Sequence, residues 1–196
     1  VMARPGKGEF MRMGRMLEVG ATGILYPRLD DEHEAAEVVR WAKFAPEGER
    51  GFDSGNADNM YAGHPGPEYV RAANATTWVA VQIESPAAAQ RARAIAQTPG
   101  VEMVFFGPAD YSLLAGRPLA DHDDPEIART VEQVCRDTLA AGKHFGTLVF
   151  NDDQARRMLD LGATFLATAS DVTHLRKGLT ALAERWRAIG LMTHND

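Results

Sequence analysis

Two acidic residues stand at or just beyond the ends of apolar runs, where chemistry is easiest to position. Gln82-Ile83-Glu84 closes the run Trp78–Ile83, and Asp110 follows Met103–Phe106 inside Phe106-Gly107-Pro108-Ala109-Asp110-Tyr111-Ser112. A carboxylate at the end of a buried strand needs a partner, because an unpaired buried charge is costly. One reading gives Glu84 a salt bridge to an arginine, or an N-cap role for the helix that opens at Pro86. The other makes it a metal ligand. If the two runs are neighbouring strands, about 4.8 Å apart, their carboxylates converge, and like charges that close repel unless a cation lies between them. Ligation by oxygen alone, with positions left for water and substrate, suits Mg²⁺ or Mn²⁺, with Co²⁺ as a further option. A closed zinc site would call for Cys or His ligands. Gly107 allows the backbone to approach a ligand closely.

Cations and decoys surround this pair. Arg4 precedes Pro5 and ends the apolar start Val1-Met2-Ala3, so it too stands at a strand end, where a guanidinium can grip a carboxylate or steady an enolate oxygen. The bland alternative is a solvated charge. Arg50, in Gly48-Glu49-Arg50-Gly51, is either a second anion binder or half of a loop ion pair. His33 falls on the polar side of a helix start, His64 lies in a Gly-rich loop, and His122, His144, His174 and His194 show no metal-ligand spacing. A Schiff-base mechanism needs a lysine at a strand end, whereas Lys7, Lys43, Lys143 and Lys177 fall in loops or helices. No Ser/His/Asp arrangement is visible. Cys135 is the only cysteine, which leaves no intrachain disulfide and predicts a reducing, cytoplasmic setting. Its flanks read as a helix, so it is expected to be a buried, inert thiol.

Short apolar runs alternating with helical patterns position these groups. Strands are predicted at Gly23–Tyr26, Trp78–Ile83, Met103–Phe106, Phe145–Phe150 and Phe165–Thr168, with Val1–Ala3 as the tail of another. Helices are predicted over 11–19, 32–44, 67–75, 86–97, 125–141, 152–161 and 172–189, with Asp124 as N-cap and Gly20, Gly142 and Gly162 as stops. Residues 46–66 hold five glycines and no apolar period, a long loop of the functional or interface kind. Repeated strand–helix units imply a parallel sheet covered by helices, either open and doubly wound or closed as a barrel. No nucleotide-binding glycine motif follows any strand. Polar residues at three strand ends, Glu84, Asp110 and Asn151, favour the barrel, whose chemistry sits there.

The chain has 196 residues, enough for one core, and its 45% hydrophobic and 24% charged content places it among ordinary globular domains. A formal net charge of -6 argues against a nucleic-acid partner. No apolar run approaches the roughly 18 residues of a membrane span, and the start lacks the anatomy of a signal peptide. Val1 opens inside an apolar run, which predicts a chain that starts within a fold.

Met16-Leu17-Glu18-Val19-Gly20-Ala21, Gly23-Ile24-Leu25-Tyr26-Pro27, Gly48-Glu49-Arg50-Gly51, Val81-Gln82-Ile83-Glu84, the Phe106–Ser112 motif, Ala141-Gly142-Lys143 and Gly162-Ala163-Thr164-Phe165 follow one another in an order that resembles the HpcH/HpaI aldolase/citrate lyase family. The resemblance covers nearly the whole chain. It implies a single TIM (β/α)8 barrel domain over 1–196, incomplete at its N-terminus, with about the last six strand–helix units present. It implies a class II pyruvate aldolase, usually assembled as a homohexamer or trimer. Such an enzyme cleaves a 4-hydroxy-2-oxo acid to pyruvate and an aldehyde through a metal-bound enolate. Glu84 and Asp110 would hold the metal, Arg4 would stabilise the enolate oxygen, and Gln82 would lie beside the cation. The Gly107-Pro108-Ala109-Asp110 backbone with Ser112 would hold the carboxylate, and Leu148 would line the aldehyde pocket. The family's Asp-x-x-His pair, which handles the proton, belongs to units before Val1, and Glu18 stands where the family usually has Asp. Alternatives within the resemblance are oxaloacetate decarboxylation with macrophomate-synthase-like capture of the enolate, and a non-catalytic family member.

Overall fold

The computed structural model describes residues 1–120 and 122–191. In chain order the elements are β1 (Met2–Ala3), α1 (Phe10–Glu18), β2 (Gly23–Tyr26), α2 (Glu32–Ala42), a 3-10 turn (Ala57–Asn59), α3 (Gly66–Thr76), β3 (Trp78–Ile83), α4 (Pro86–Gln90), α5 (Ala92–Gln97), β4 (Met103–Phe106), α6 (Pro108–Leu114), α7 (Pro125–Ala140), β5 (His144–Leu148), α8 (Asp152–Asp160), β6 (Phe165–Ala167) and α9 (Asp171–Ala188). Two compact units result, Val1–Leu166 and Ala167–Asp196, and the second carries α9. His194 lies outside the described residues.

The six strands form one sheet in the order β1-β2-β3-β4-β5-β6, and each pair from β1 to β5 is parallel. This order decides between the two candidate architectures. A doubly wound sheet reverses direction at a switch point. Here every crossover delivers the chain to the next position on the same side, and the accumulated strand twist curls such a sheet toward a barrel. The arrangement is that of part of a (β/α) barrel.

Alternation along the strands separates core from site. Val79, Val81 and Ile83 of β3, with Val104 and Phe106 of β4 and Ile24 and Tyr26 of β2, pack under α1, α2, α5 and α7 in one apolar cluster. Each fully buried branched side chain there contributes about 1.5–3 kcal/mol. Side chains two apart share a face, so Gln82 points to the opposite side together with Ala80 and Phe105. At the bottom of β3, Trp78 pairs with Gly23, and its indole occupies the notch that Gly23 leaves. A Cβ on Gly23 would meet the ring at 2.2 Å.

Predicted caps account for several boundaries. Asp124 accepts from the amides of Glu126 and Ile127, and Ser85 accepts from Ala88, each opening a helix with proline at its first turn. Asn151, read as a polar strand-end group, accepts from the Gln154 amide and caps α8. The helix predicted over 86–97 is split into α4 and α5 at Arg91, whose backbone leaves the helical region at φ -102° and ψ 7°. Residues 108–114, for which the sequence predicted no element, form α6. Among the described residues no helix is long and apolar enough to cross a membrane.

Candidate active site

The register brings the two acidic positions together. Gln82 pairs with Phe105 and Ile83 with Phe106, so Glu84 continues β3 opposite Gly107. Gly107 is the N-cap of α6, and Asp110 lies in that helix's first turn. Glu84 therefore leans across the residue that follows β4. A Cβ on Gly107 would meet its Oε1 at 2.5 Å and its Cγ at 2.6 Å, so only glycine leaves the carboxylate room.

Glu84 is 5% exposed. Its Oε2 accepts from the Arg28 amide at 2.7 Å, and its Oε1 accepts from Gln82 Nε2 at 3.1 Å. Each oxygen thus keeps an unused lone pair. Burial pushes the carboxyl above the usual range, the Arg28 amide opposes this, and the negative charge of Asp110 adds to it. Arg4 and Arg28 pull the other way through their charges. Glu84, Asp110 and Arg4 are therefore one electrostatic group, and among the described residues Glu84 forms no salt bridge and caps no helix. Arg4 itself is exposed, one residue past β1.

The remaining expected residues divide. Gln82 is 3% exposed, and its Oε1 is buried without a hydrogen-bond partner. Pro108 is buried at the start of α6, and Ala109 and Asp110 are half-buried beside it. Ser112 is fully buried, donates to the Ala109 carbonyl at 2.8 Å and accepts from the Ala120 amide at 2.9 Å, so its hydroxyl ties α6 to the loop after it. Leu148 ends β5 and is half-buried.

Arg50 resolves as a loop ion pair. It is buried, donates to Asp58 Oδ2 at 2.6 Å and to the Tyr69 hydroxyl at 3.3 Å, and lies over the Phe44 ring. Glu18 is buried and pairs with Arg15 at 2.6 Å. Cys135 is buried with its Sγ 3.4 Å from the Leu161 carbonyl, and burial pushes the thiol up to about 11.

Two site residues had no sequence signal. Lys7 and Arg28, with Asp30, Glu84, Ser85 and Leu114, line a cavity of about 320 Å³. Lys7 belongs to the loop after β1 and reaches the Arg28 carbonyl at 2.8 Å. Their convergence depends on adjacent strands ending together, which spacing along the chain does not reveal. A larger cavity, about 440 Å³, lies between α1 and residues 49–53, away from both carboxylates.

The family model of the HpcH/HpaI aldolase/citrate lyase family matches residues 2–178. The chain belongs to this family. Relatives include a hydroxypyruvate/pyruvate aldolase from Delftia acidovorans, 33% identical over 95% of this chain and 69% of that protein. A 4-hydroxy-2-oxo-heptane-1,7-dioate aldolase from Klebsiella pneumoniae is 34% identical over 99% of this chain and 70% of that protein. A solved HpcH/HpaI aldolase from Desulfitobacterium hafniense superimposes with a TM-score of 0.84 at 27% identity, over 100% of this chain and 74% of that one. The chain thus spans about two thirds of the length of the HpcH/HpaI members it matches, and by membership it is an aldolase-type lyase.

Proposed function

We propose that the protein catalyses reversible aldol cleavage of a 4-hydroxy-2-oxo acid to pyruvate and an aldehyde. One observation carries this reading: the buried Glu84 carboxylate leans across Gly107 at the neighbouring strand end, where burial and then the charge of Asp110 raise it, and the charges of Arg4 and Arg28 oppose this without a salt bridge among the described residues. The fit to a divalent cation is good. Both ligating groups are hard oxygens, Gly107 keeps the space beside Glu84 open, and the Gln82 Oε1 is a buried acceptor without a partner. Among the described residues no cluster of three or more His, Cys, Asp or Glu forms, so two carboxylates leave most positions for water and substrate. Glu84 and Asp110 would hold Mg²⁺ or Mn²⁺, with Co²⁺ an alternative. When bound, such an ion supplies Lewis acidity to the 2-oxo group.

The chain's own residues supply the rest. The first-turn amides of α6 have no intrahelical acceptors, and Ala109 and Asp110 present them toward a substrate carboxylate. Arg4 places positive charge where the oxyanion develops as the C3–C4 bond breaks. The 4-hydroxyl proton passes to water as the aldehyde departs past Leu148, and C3 regains a proton. Glu84→Ala is expected to lower pyruvate release, measured with added Mg²⁺ or Mn²⁺, by roughly 100-fold or more. Unchanged turnover refutes the reading.

The protein is further proposed to assemble as a homo-oligomer, a hexamer or trimer in a complete (β/α)8 enzyme. Val172, Leu175, Leu179, Trp186 and Ile189 are exposed along α9 and the residue after it, spaced by three, four, seven and three residues, so they share one face, the pattern of a helix seam that pairs with another chain. Sedimentation is expected to give a multiple of 21.4 kDa, and a monomer would contradict it.

A further inference from the structure

Arg4 and Glu84 belong to one electrostatic group, but no strand pairing sets the distance between them. Arg4 follows β1, Glu84 follows β3, and β2 lies between. The β1–β2 ladder holds two residue pairs, Met2 with Gly23 and Ala3 with Ile24, and stops there. Leu25 and Tyr26 run on beside β3 without a β1 partner. The loop that carries Arg4 therefore leaves the ladder well below the level of Glu84, which stands three residues beyond Val81, the partner of Tyr26. Side chains must fix that loop instead. Among the described residues, of residues 5–8 only Lys7 and Gly8 hydrogen-bond to β2 or to the segment after it.

These bonds converge on one clamp. The Gly8 amide donates to the Tyr26 hydroxyl at 2.8 Å, and that hydroxyl donates to Glu34 Oε1 at 2.8 Å. A lysine ammonium has three protons to donate, and Lys7 finds an acceptor on three different residues: the Arg28 carbonyl at 2.8 Å, Asp30 Oδ2 at 2.6 Å and Glu34 Oε2 at 3.2 Å. An ordinary surface ion pair is loosely held and contributes little. Three convergent acceptors, one of them backbone, make Lys7 a strut. The backbone acceptor is the telling one, because of what else Arg28 holds. Arg28 has φ 51°, and a residue other than glycine keeps that left-handed conformation only where its surroundings impose it. Its amide donates to Glu84 Oε2 at 2.7 Å, and the next amide, Leu29, donates to the Gln82 carbonyl at 3.1 Å. Lys7 holds the carbonyl side of the same residue. From Arg4 to Glu84 the link is three residues of loop and two hydrogen bonds, Lys7 to Arg28 and Arg28 to Glu84.

We propose that Lys7 is a positioning residue that fastens the Arg4 loop to Arg28, and through the Arg28 amide to Glu84, so that the arginine and the carboxylate keep one spacing across β2. That this spacing serves aldol cleavage rests on the lyase reading; the mechanical link does not. Lys7→Met keeps the stem and removes the ammonium. Amide hydrogen exchange is expected to quicken roughly tenfold at Gly8 and at Arg28 together, with urea unfolding unchanged. A lysine that merely pins its own loop would quicken Gly8 alone, and an unchanged rate at Arg28 overturns the proposal. Kinetics on 4-hydroxy-2-oxopentanoate and its longer homologues, with Mg²⁺ or Mn²⁺, supply the second readout. There kcat is expected to fall about tenfold while KM stays within about twofold of wild type, because Lys7 orients groups and does not hold substrate. A raised KM with kcat intact would make Lys7 a substrate ligand and overturns the positioning role. Aminoethylation of Lys7→Cys rebuilds an ammonium at the same reach, with the buried Cys135 spared, and is expected to restore both the Arg28 exchange rate and kcat; failure to restore either contradicts the proposal. If wild type releases no pyruvate while exchange at Arg28 still follows Lys7, the link stands and the lyase reading falls. If Lys7→Met fails to fold, Lys7→Gln is read in its place.

Discussion

At the scale of single residues, the most exacting position is one without a side chain. Gly107 faces Glu84 so closely that Gly107→Ala must displace the carboxylate, since the new Cβ would lie 2.5 Å from Oε1. Overpacking of this kind costs about 1–3 kcal/mol. The loss of activity is expected to exceed the loss of stability, which comparing pyruvate release with urea unfolding would check. Cys135 makes the opposite case of a reactive group rendered inert. With the thiol pushed up to about 11, alkylation by iodoacetamide at pH 8 is expected to be slow in the native protein and rapid in denaturant. Both carboxylates and Gly107 were legible from the sequence because Glu84 and Gly107 directly follow apolar runs and Asp110 stands three residues after Gly107. Lys7 and Arg28 were not, because nothing in their flanks says that two loops from adjacent strands meet over Glu84. Ser112 had the right position for a ligand, but its hydroxyl is engaged by Ala109 and Ala120.

At the scale of elements, the long glycine-rich segment shows why composition alone misleads. Residues 46–66 read as a loop, and their sequence has no period, yet buried polar groups hold them in place. Arg50 pairs with Asp58 and Tyr69, and the Asn59 amide donates to the carbonyls of Ser54 and His64. Gly48 is forced by backbone, since a Cβ there would meet the Arg40 and Lys43 carbonyl oxygens at 2.5 and 2.4 Å. Breaking one partner of a buried pair costs about 3–5 kcal/mol. Arg50→Met is therefore expected to lower stability by an amount near the bottom of that range, because Asp58 keeps its bond to Tyr69. Limited proteolysis within 46–66 should accelerate in parallel. Cleavage unchanged from wild type would mean that the segment is held by something other than this pair. The α6 helix was missed because Gly107 and Pro108 look like a turn, although proline suits the first position of a helix.

For the molecule as a whole, the alternation of strands and helices limited the fold to two architectures, and only strand order chose between them. Order is a long-range property that local periodicity does not encode, so the barrel expectation leaned on the polar strand ends. One of these, Asn151, turned out to be a helix cap. The same long-range pairing has a further effect on how this protein tolerates change. The indole of Trp78 sits in the space over Gly23, six residues before Glu84 and so roughly 20 Å along the strand. It acts as a peg that fixes how far β3 slides against β2. Filling that slot, as Gly23→Ala does, must lift the peg, and the displacement is passed up a stiff, fully paired strand to the carboxylate at its tip. Variation on the floor of the sheet, remote from any ligand, is thereby coupled to the geometry at its mouth.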